Sequence, residues 1–269
     1  MKNKGILTKV YIALIMVFMY APIAVLIFYS FNKSRSAAWG GFTFDWYIQL
    51  FKSSSIMNAL TNTLLVAVLA SFFATILGTS AAIGISNLKG KTRMLVQNAS
   101  NIPIISPDIV MGVSLMLLFT FLGVIFNFEM GFTTVLLSHI CFCVPFVVLN
   151  VMPRIRRMDS SLYDAALDLG CTPFQAFRKV VIHELMPGIF SGALISFTYS
   201  LDDFVITHFT QGARFQNLST EIYGMLRRKI PPTINALSTL LFLVIIIFCI
   251  QSLLSNLPVF LYGEKLPYP

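Results

Sequence analysis

The sequence predicts an all-α integral membrane protein with six transmembrane helices. Three observations lead there. Of 269 residues, 57% are hydrophobic and only 11% are charged, whereas soluble domains carry about 25% charged residues. Mean hydropathy is +0.80. Apolar runs of bilayer-crossing length recur along the chain, and in hydrocarbon a helix satisfies every backbone polar group within its own segment. The net charge of +8 therefore bears on membrane topology before it bears on nucleic acid.

Lys2, Lys4 and Lys9 precede an apolar run from Val10 to Phe31. The run is too long for a signal-peptide core and no small-residue cleavage site closes it, so it is expected to be an uncleaved first span with a cytoplasmic N-terminus. Residues 32–56 read as a polar, aromatic-rich loop with Trp39, Trp46 and Tyr47, side chains suited to the membrane–water interface. The second span runs from about Leu60 to Ile85. Its Ala67, Ala70, Ala74, Gly78, Ala81 and Ala82 recur mostly three or four apart, which permits close helix–helix contact. The third span is expected at Ile102–Ile125, the fourth at Phe132–Met152, the fifth at Leu185–Phe209 and the sixth at Ile234–Leu261. Gly84 to Thr92 superficially resembles a phosphate loop, but the gap from Gly84 to Gly90 is one residue too long and no strand precedes it. Of the cysteines Cys141, Cys143, Cys171 and Cys249, three lie in apolar runs and behave as small hydrophobes. Cys141-Phe142-Cys143 lacks zinc-site spacing, and no disulfide is expected.

Six spans put both termini on one side. The N-terminus, the 86–100 loop, the 153–184 loop and the C-terminus together hold twelve Lys and Arg, and the opposite face holds seven. The excess assigns the first set to the cytoplasm. Arg227, Arg228 and Lys229 run against the bias. They are either a contact for a soluble partner outside the membrane or a solvated loop end.

Asp159 to Pro187 is the longest stretch that cannot lie in lipid, since it carries Asp159, Asp164, Asp168, Arg178, Lys179 and Glu184. Asp159, Ser160 and Ser161 are N-cap types ahead of a helix over Leu162–Leu169. Gly170 suits a C′ position with positive φ. Thr172, Pro173 and Gln175 spell a second helix start with a capping box. Ala165 and Ala166 leave the first helix a shallow surface that a partner backbone can approach.

Three carboxylates fall inside spans: Asp108, Asp202 and Asp203. A charged Asp at mid-helix costs about 2.5–3.5 kcal/mol on insertion scales, so such residues face a cavity or a bundle interior. In Ser106-Pro107-Asp108, Ser106 can cap, Pro107 can take the first position and Asp108 can complement the helix dipole; a pathway role is the alternative. Pro103 and Pro107 indicate that the span is broken or restarts there. No capping residue or proline lies near Asp202-Asp203. On a continuous helix from Pro187 the pair would sit about 22–24 Å along, with one residue facing a pathway and the other meeting a polar neighbour such as Thr198 or Thr207. Carboxylates with aromatic faces, here Tyr199 and Phe204, favour organic cations. His139 is expected to be hydrogen-bonded within the bundle, with proton relay as the alternative.

Asp164-Ala165-Ala166, then Gly170, then Val180 resembles the EAA loop of ABC-transporter permeases. Asp164 stands for the usual Glu, and Pro187 falls later than the family's closing proline. Four further stretches, Ser106–Met111, Ser138–Ile140 with Pro145–Val148, Ser196–Asp203 and Asn235–Leu237, resemble the permeases of spermidine/putrescine importers, as do Ser30–Asn32 and Phe42–Tyr47. The resemblance implies a type I ABC importer permease fold, one domain over residues 1–269, with residues 159–184 as its cytoplasmic coupling loop. It implies an ATP-driven, binding-protein-dependent importer of polyamines in a bacterial inner membrane, with both termini cytoplasmic. The implied partners are a second permease subunit forming a heterodimer, an ATPase homodimer and a periplasmic polyamine-binding protein. By the same resemblance Asp164, Ala165, Ala166 and Gly170 couple to the ATPase, and this chain is no enzyme and binds no cofactor, ATP and Mg²⁺ being used by the ATPase subunits.

The competing readings are a self-contained secondary transporter or channel, a permease for another small substrate, and a membrane-embedded enzyme. Six spans without a detectable internal repeat are few for a carrier. No nucleophile–base pair, HExxH or metal cluster supports an enzyme. The buried acids favour a cation over an anion as cargo.

Overall fold

The structure is a computed structural model and describes residues 2–35, 38–159, 161–228, 231–243 and 246. They fall into two compact units, one from the described parts of Met1–Met57 and Ile222–Pro269, the other Asn58–Glu221.

In the first unit, helix α1 covers Lys2–Ser30 and α2 covers Asp45–Lys52. Their connection is tied to itself. Asn32 pairs antiparallel with Phe42, its side-chain amide donates to Ala38 O (2.9 Å), and Trp46 Nε1–H donates to Asn32 O (2.7 Å). Phe31 stacks on Phe42 and Phe28 on Trp39. The expected loop over residues 32–56 thus contains a helix. Its acidic first residue and basic last residue suit the dipole, and Trp46 and Leu50, one turn apart, are its buried residues. The first unit also holds the apolar helix α12 (Thr233–Leu243). The rest of the sixth span, with Cys249, lies largely outside the described residues.

The next helix, α3, begins at Ser54 and runs to Asn87, earlier than the expected start at Leu60. Within the second unit its small residues do what their spacing predicts: Ala67, Ala70, Ala74 and Ala82 are fully buried. Gly78 lies so close to the next long helix but two that a Cβ there would stand 2.5 Å from Val147 Cβ. Helices α4 (Gly90–Ile105) and α5 (Asp108–Phe126) follow. The expected 86–100 loop is therefore mostly helical, and the third span starts at Asp108 instead of Ile102. The restart has a local cause: a residue before proline is pushed out of the α region, and Ser106 is extended at φ −69°, ψ 138°. The sequence offers Ser106 as the cap of the next helix, and the structure corrects this: Pro107 takes the N-cap position and no side chain caps it. The Ser106 hydroxyl donates back to Ile102 O (2.9 Å).

Helix α6 (Phe132–Arg157) and helix α9 (Ile182–Asp202) pack along each other. Gly192 allows this, since a Cβ there would come within 3.1 Å of Val147 Cα. Cys143, Val147, Val151 and Leu185 form the centre of the core. Between α6 and α9 lie α7 (Ser161–Asp168), α8 (Pro173–Ala176) and a π-helical turn over Phe177–Val181. The second cytoplasmic helix expected from sequence is therefore not separate: it runs through the π turn into the fifth span, continuous from Pro173 to Asp202. The fifth span also ends early, at Asp202. Asp203 is extended (φ −62°, ψ 128°), and a short helix α10 (Val205–Thr210) turns back onto α5, where Gly112 leaves room for the Phe209 ring. Helix α11 (Leu218–Arg228) follows.

Among the described residues five helices are long and apolar enough to cross a membrane. Within the second unit two side-chain contacts sort the connections by face. Arg214 and Glu129 approach to 3.8 Å, which joins the segments after α5 and α10. At the other end Arg156 donates to Gln97 Oε1 (2.9 Å), which joins α4 to the end of α6. This is the alternation of faces expected from sequence.

Candidate functional site: a carboxylate cavity at a helix break

The break after α9 and the break before α5 face one another across a cavity of about 480 Å³. Asp108, Tyr199, Asp202, Asp203 and Phe204 all line it, so the five pathway candidates come together in one place. Phe142 and Phe146 of α6 complete the wall. Phe146 stacks on Tyr199 with centroids 4.4 Å apart and planes at 15°. Neither phenylalanine was singled out from sequence. The signal was present in their spacing: His139, Phe142 and Phe146 recur three and four apart and share a helix face.

The two adjacent aspartates are not equivalent. Asp202 is exposed to the cavity, as is Asp108 at the first turn of α5. Neither accepts a side-chain hydrogen bond nor meets a cation among the described residues. Asp203 is turned away, its side chain only 9% exposed. Its carboxylate accepts from Ile206 N–H (3.2 Å), Thr207 N–H (2.8 Å) and Thr207 Oγ1–H (2.8 Å). It thereby satisfies the otherwise orphan amides at the start of α10. The expectation of a continuous helix through the pair is corrected on this point: Asp203 is itself the capping group that ends one helix and starts the next. Thr207 is its polar partner, as anticipated.

His139 of α6 is 1% exposed and reaches this cluster from the side. Nδ1 lies 2.7 Å from Ser200 Oγ. Nε2 lies 2.9 Å from Thr207 Oγ1 and 3.4 Å from Asp203 Oδ2. Asn217 closes the network by donating to Asp203 O and to Thr207 Oγ1, both at 3.1 Å. The expected intrabundle hydrogen bonding of His139 is present.

On the face that carries the end of α6, α7 is framed as its sequence dictates. Asp159 Oδ1 accepts from Ser161 N–H (2.9 Å). Hydrogen bonds from Ser161 hold that exposed carboxyl below the usual carboxylate range. Gly170 takes φ +84°. Cys171 N–H reaches Ala166 O (3.0 Å) and Gly170 N–H reaches Leu167 O (2.9 Å), a Schellman ending. Thr172 and Gln175 form the reciprocal capping box. Asp164 and Ala165 are exposed. Ala166 is buried in the turn, so the shallow face expected from both alanines belongs to Ala165. Leu169 and Phe174 stand 86% and 72% exposed, which leaves an apolar surface for a partner. Of the basic cluster, the Arg227 guanidinium lies over the Tyr223 ring (4.8 Å), Arg228 ends α11, and Lys229 is outside the described residues.

Comparison with known proteins agrees with this architecture. Residues 74–257 match the profile of the binding-protein-dependent transport system inner membrane component family. The spermidine/putrescine transport system permease protein PotC of Escherichia coli K12 is 36% identical over 249 residues, 92% of this chain and 91% of that protein. The putrescine transport system permease protein PotI of the same strain is 36% identical over 83% of this chain and 81% of its own length. Among solved structures, a bacterial ABC transporter that imports alginate superposes with a TM-score of 0.68 at 18% identity, over 93% of this chain and 96% of that one. The alginate transporter in complex with its pentasaccharide-bound periplasmic protein gives 0.62 at 21% identity, over 92% and 93%. At these identities the structures bear on the fold alone.

Proposed function

This chain belongs to the family of binding-protein-dependent transport inner membrane components, and we propose that it forms half of the membrane path of an ATP-driven polyamine importer. The carrying observation is the cavity in which the carboxylates of Asp108 and Asp202 stand without partners among the described residues, beside the Tyr199–Phe146 stack. Two separated negative charges and an aromatic face complement a flexible chain bearing ammonium groups at intervals, through ion pairing and cation–π attraction. The relatives named for spermidine and putrescine point to the same cargo. The chain does no covalent chemistry in this scheme. It pairs with a second, different permease chain, and ATP with Mg²⁺ is consumed by an ATPase dimer seated on α7 through Asp164, Ala165 and the Gly170 turn. That face and both termini are cytoplasmic. A polyamine-binding protein delivers cargo from outside the membrane, and the basic cluster Arg227, Arg228 and Lys229 is the proposed contact for it.

The test is ATP-dependent uptake of labelled spermidine by the reconstituted complex. Asp202→Asn and Asp108→Asn are each expected to lower uptake at least tenfold with assembly and ATP hydrolysis preserved. Wild-type uptake in both variants would remove the cation path from this cavity.

A further inference from the structure

We propose that His139 is a positioning residue: it holds the Asp203 carboxylate in the helix break, out of reach of the cargo, and so limits this side of the path to two cargo-facing carboxylates. The inference rests on the cation-path reading above.

The argument is one of counting protons. Thr207 Oγ1 has a single hydrogen, and that hydrogen goes to Asp203 Oδ2 at 2.8 Å. The same oxygen accepts from Asn217 Nδ2 at 3.1 Å. His139 Nε2, 2.9 Å away, therefore has no hydrogen to accept and must itself donate. The donated hydrogen points into the gap between Thr207 Oγ1 and Asp203 Oδ2, the latter 3.4 Å off. With the hydrogen of this tautomer on Nε2, Nδ1 is left to accept from the Ser200 hydroxyl, whose Oγ stands 2.7 Å from it. Every polar hydrogen in the cluster then has one destination, in a site where His139, Ser200, Thr207 and Asn217 are each 2% exposed or less. A buried network satisfied throughout fixes its members.

The consequence concerns the carboxylate inventory. Asp203 spends its acceptor capacity on Ile206, Thr207 and the imidazole edge, whereas Asp202 and Asp108 spend none on side chains. Without His139 or the Thr207 hydroxyl, Asp203 loses one of the partners that hold it against the start of α10, and its carboxylate, already at the edge of the same cavity, is released to meet cargo as a third negative group. A cavity with three carboxylates favours a trivalent amine over a divalent one more than a cavity with two does.

The measurement is the ratio of spermidine to putrescine uptake by the reconstituted complex, with wild-type binding protein saturated by each amine in turn. His139→Leu and, independently, Thr207→Val are expected to raise the ratio at least threefold. His139→Gln, whose amide nitrogen can replace Nε2–H, is expected to stay within twofold of wild type. Asp202→Asn should change the ratio, and Asp203→Asn should leave it in place while lowering both rates. An Asp203→Asn ratio that moves as far as that of Asp202→Asn would overturn the assignment. So would His139→Leu and Thr207→Val that slow both amines by one factor. A second readout does not depend on cargo: the ¹⁵N spectrum of histidine-labelled complex, with the His139→Gln spectrum subtracted, should show a hydrogen on Nε2 and none on Nδ1. The opposite tautomer would sink the positioning role even where the cation path stands. The expected tautomer with uptake indifferent to Asp202 and Asp108 would instead sink the cargo reading.

Discussion

Tyr199 presents one ring face to Phe146 and remains half exposed to the cavity. A cation over a partly solvated ring gains about 0.5–1 kcal/mol, or roughly twofold to fivefold in binding. Tyr199→Leu is accordingly expected to weaken polyamine uptake at limiting cargo by about twofold to fivefold, while Tyr199→Phe, which keeps the face, stays near wild type. A Tyr199→Phe variant as impaired as Tyr199→Leu would move the contribution from the ring to the hydroxyl. The same residue shows what sequence could and could not supply. Tyr199, Asp202 and Phe204 were legible because acids and aromatics in an apolar run are conspicuous. Phe146, one phenylalanine among 25, is marked in sequence only by its spacing from His139 and Phe142, and its pairing with Tyr199 emerges only when a neighbouring helix is placed against it.

At the scale of the element, legibility followed local chemistry. The α7–α8 corner could be written down in advance because capping residues and a positive-φ glycine act within five residues of one another. The break at Asp203 could not. An Asp is a good capping residue, but inside a long apolar run the helical continuation is the default, and the partners that decide otherwise, His139 and Asn217, lie 64 and 14 positions away. Likewise α4 buries no residue, so its sequence shows no apolar stripe and carries no helical signal of that kind. The α7 start offers a pH test. The Asp159 carboxyl is depressed by its hydrogen bonds from Ser161, so its contribution is fully present above the unfolded-chain value of about 3.9 and is lost as pH falls through the lower folded value. Amide exchange at Ser161 and Leu162, referenced to a peptide of the same sequence, is expected to be flat from pH 7 to about 4 and to accelerate below it. In Asp159→Asn, which caps without titrating, the acid step should vanish. A step that survives in Asp159→Asn belongs to another group.

At the scale of the whole molecule, the question is which face meets the ATPase. Within Asn58–Glu221, the Arg156–Gln97 and Arg214–Glu129 contacts mark opposite ends of the helices. The end marked by Arg156 and Gln97 carries eight Lys and Arg within this unit (Lys89, Lys91, Arg93, Arg154, Arg156, Arg157, Arg178 and Lys179), against Arg214 at the other, and because short loops rich in these residues stay on the cytoplasmic side, the basic end is expected to be the cytoplasmic one. Cys171 follows the Gly170 turn with partial exposure, and the Arg214 side chain is 87% exposed at the other end. A membrane-impermeant maleimide applied to intact cells should therefore label Arg214→Cys and spare Cys171, with Cys171→Ser as the blank. Permeabilising the membrane should expose Cys171. Labelling of Cys171 from outside would invert the protein, put α7 beyond the reach of any cytoplasmic ATPase, and remove the coupling role of Asp164, Ala165 and Gly170 together with the direction of transport.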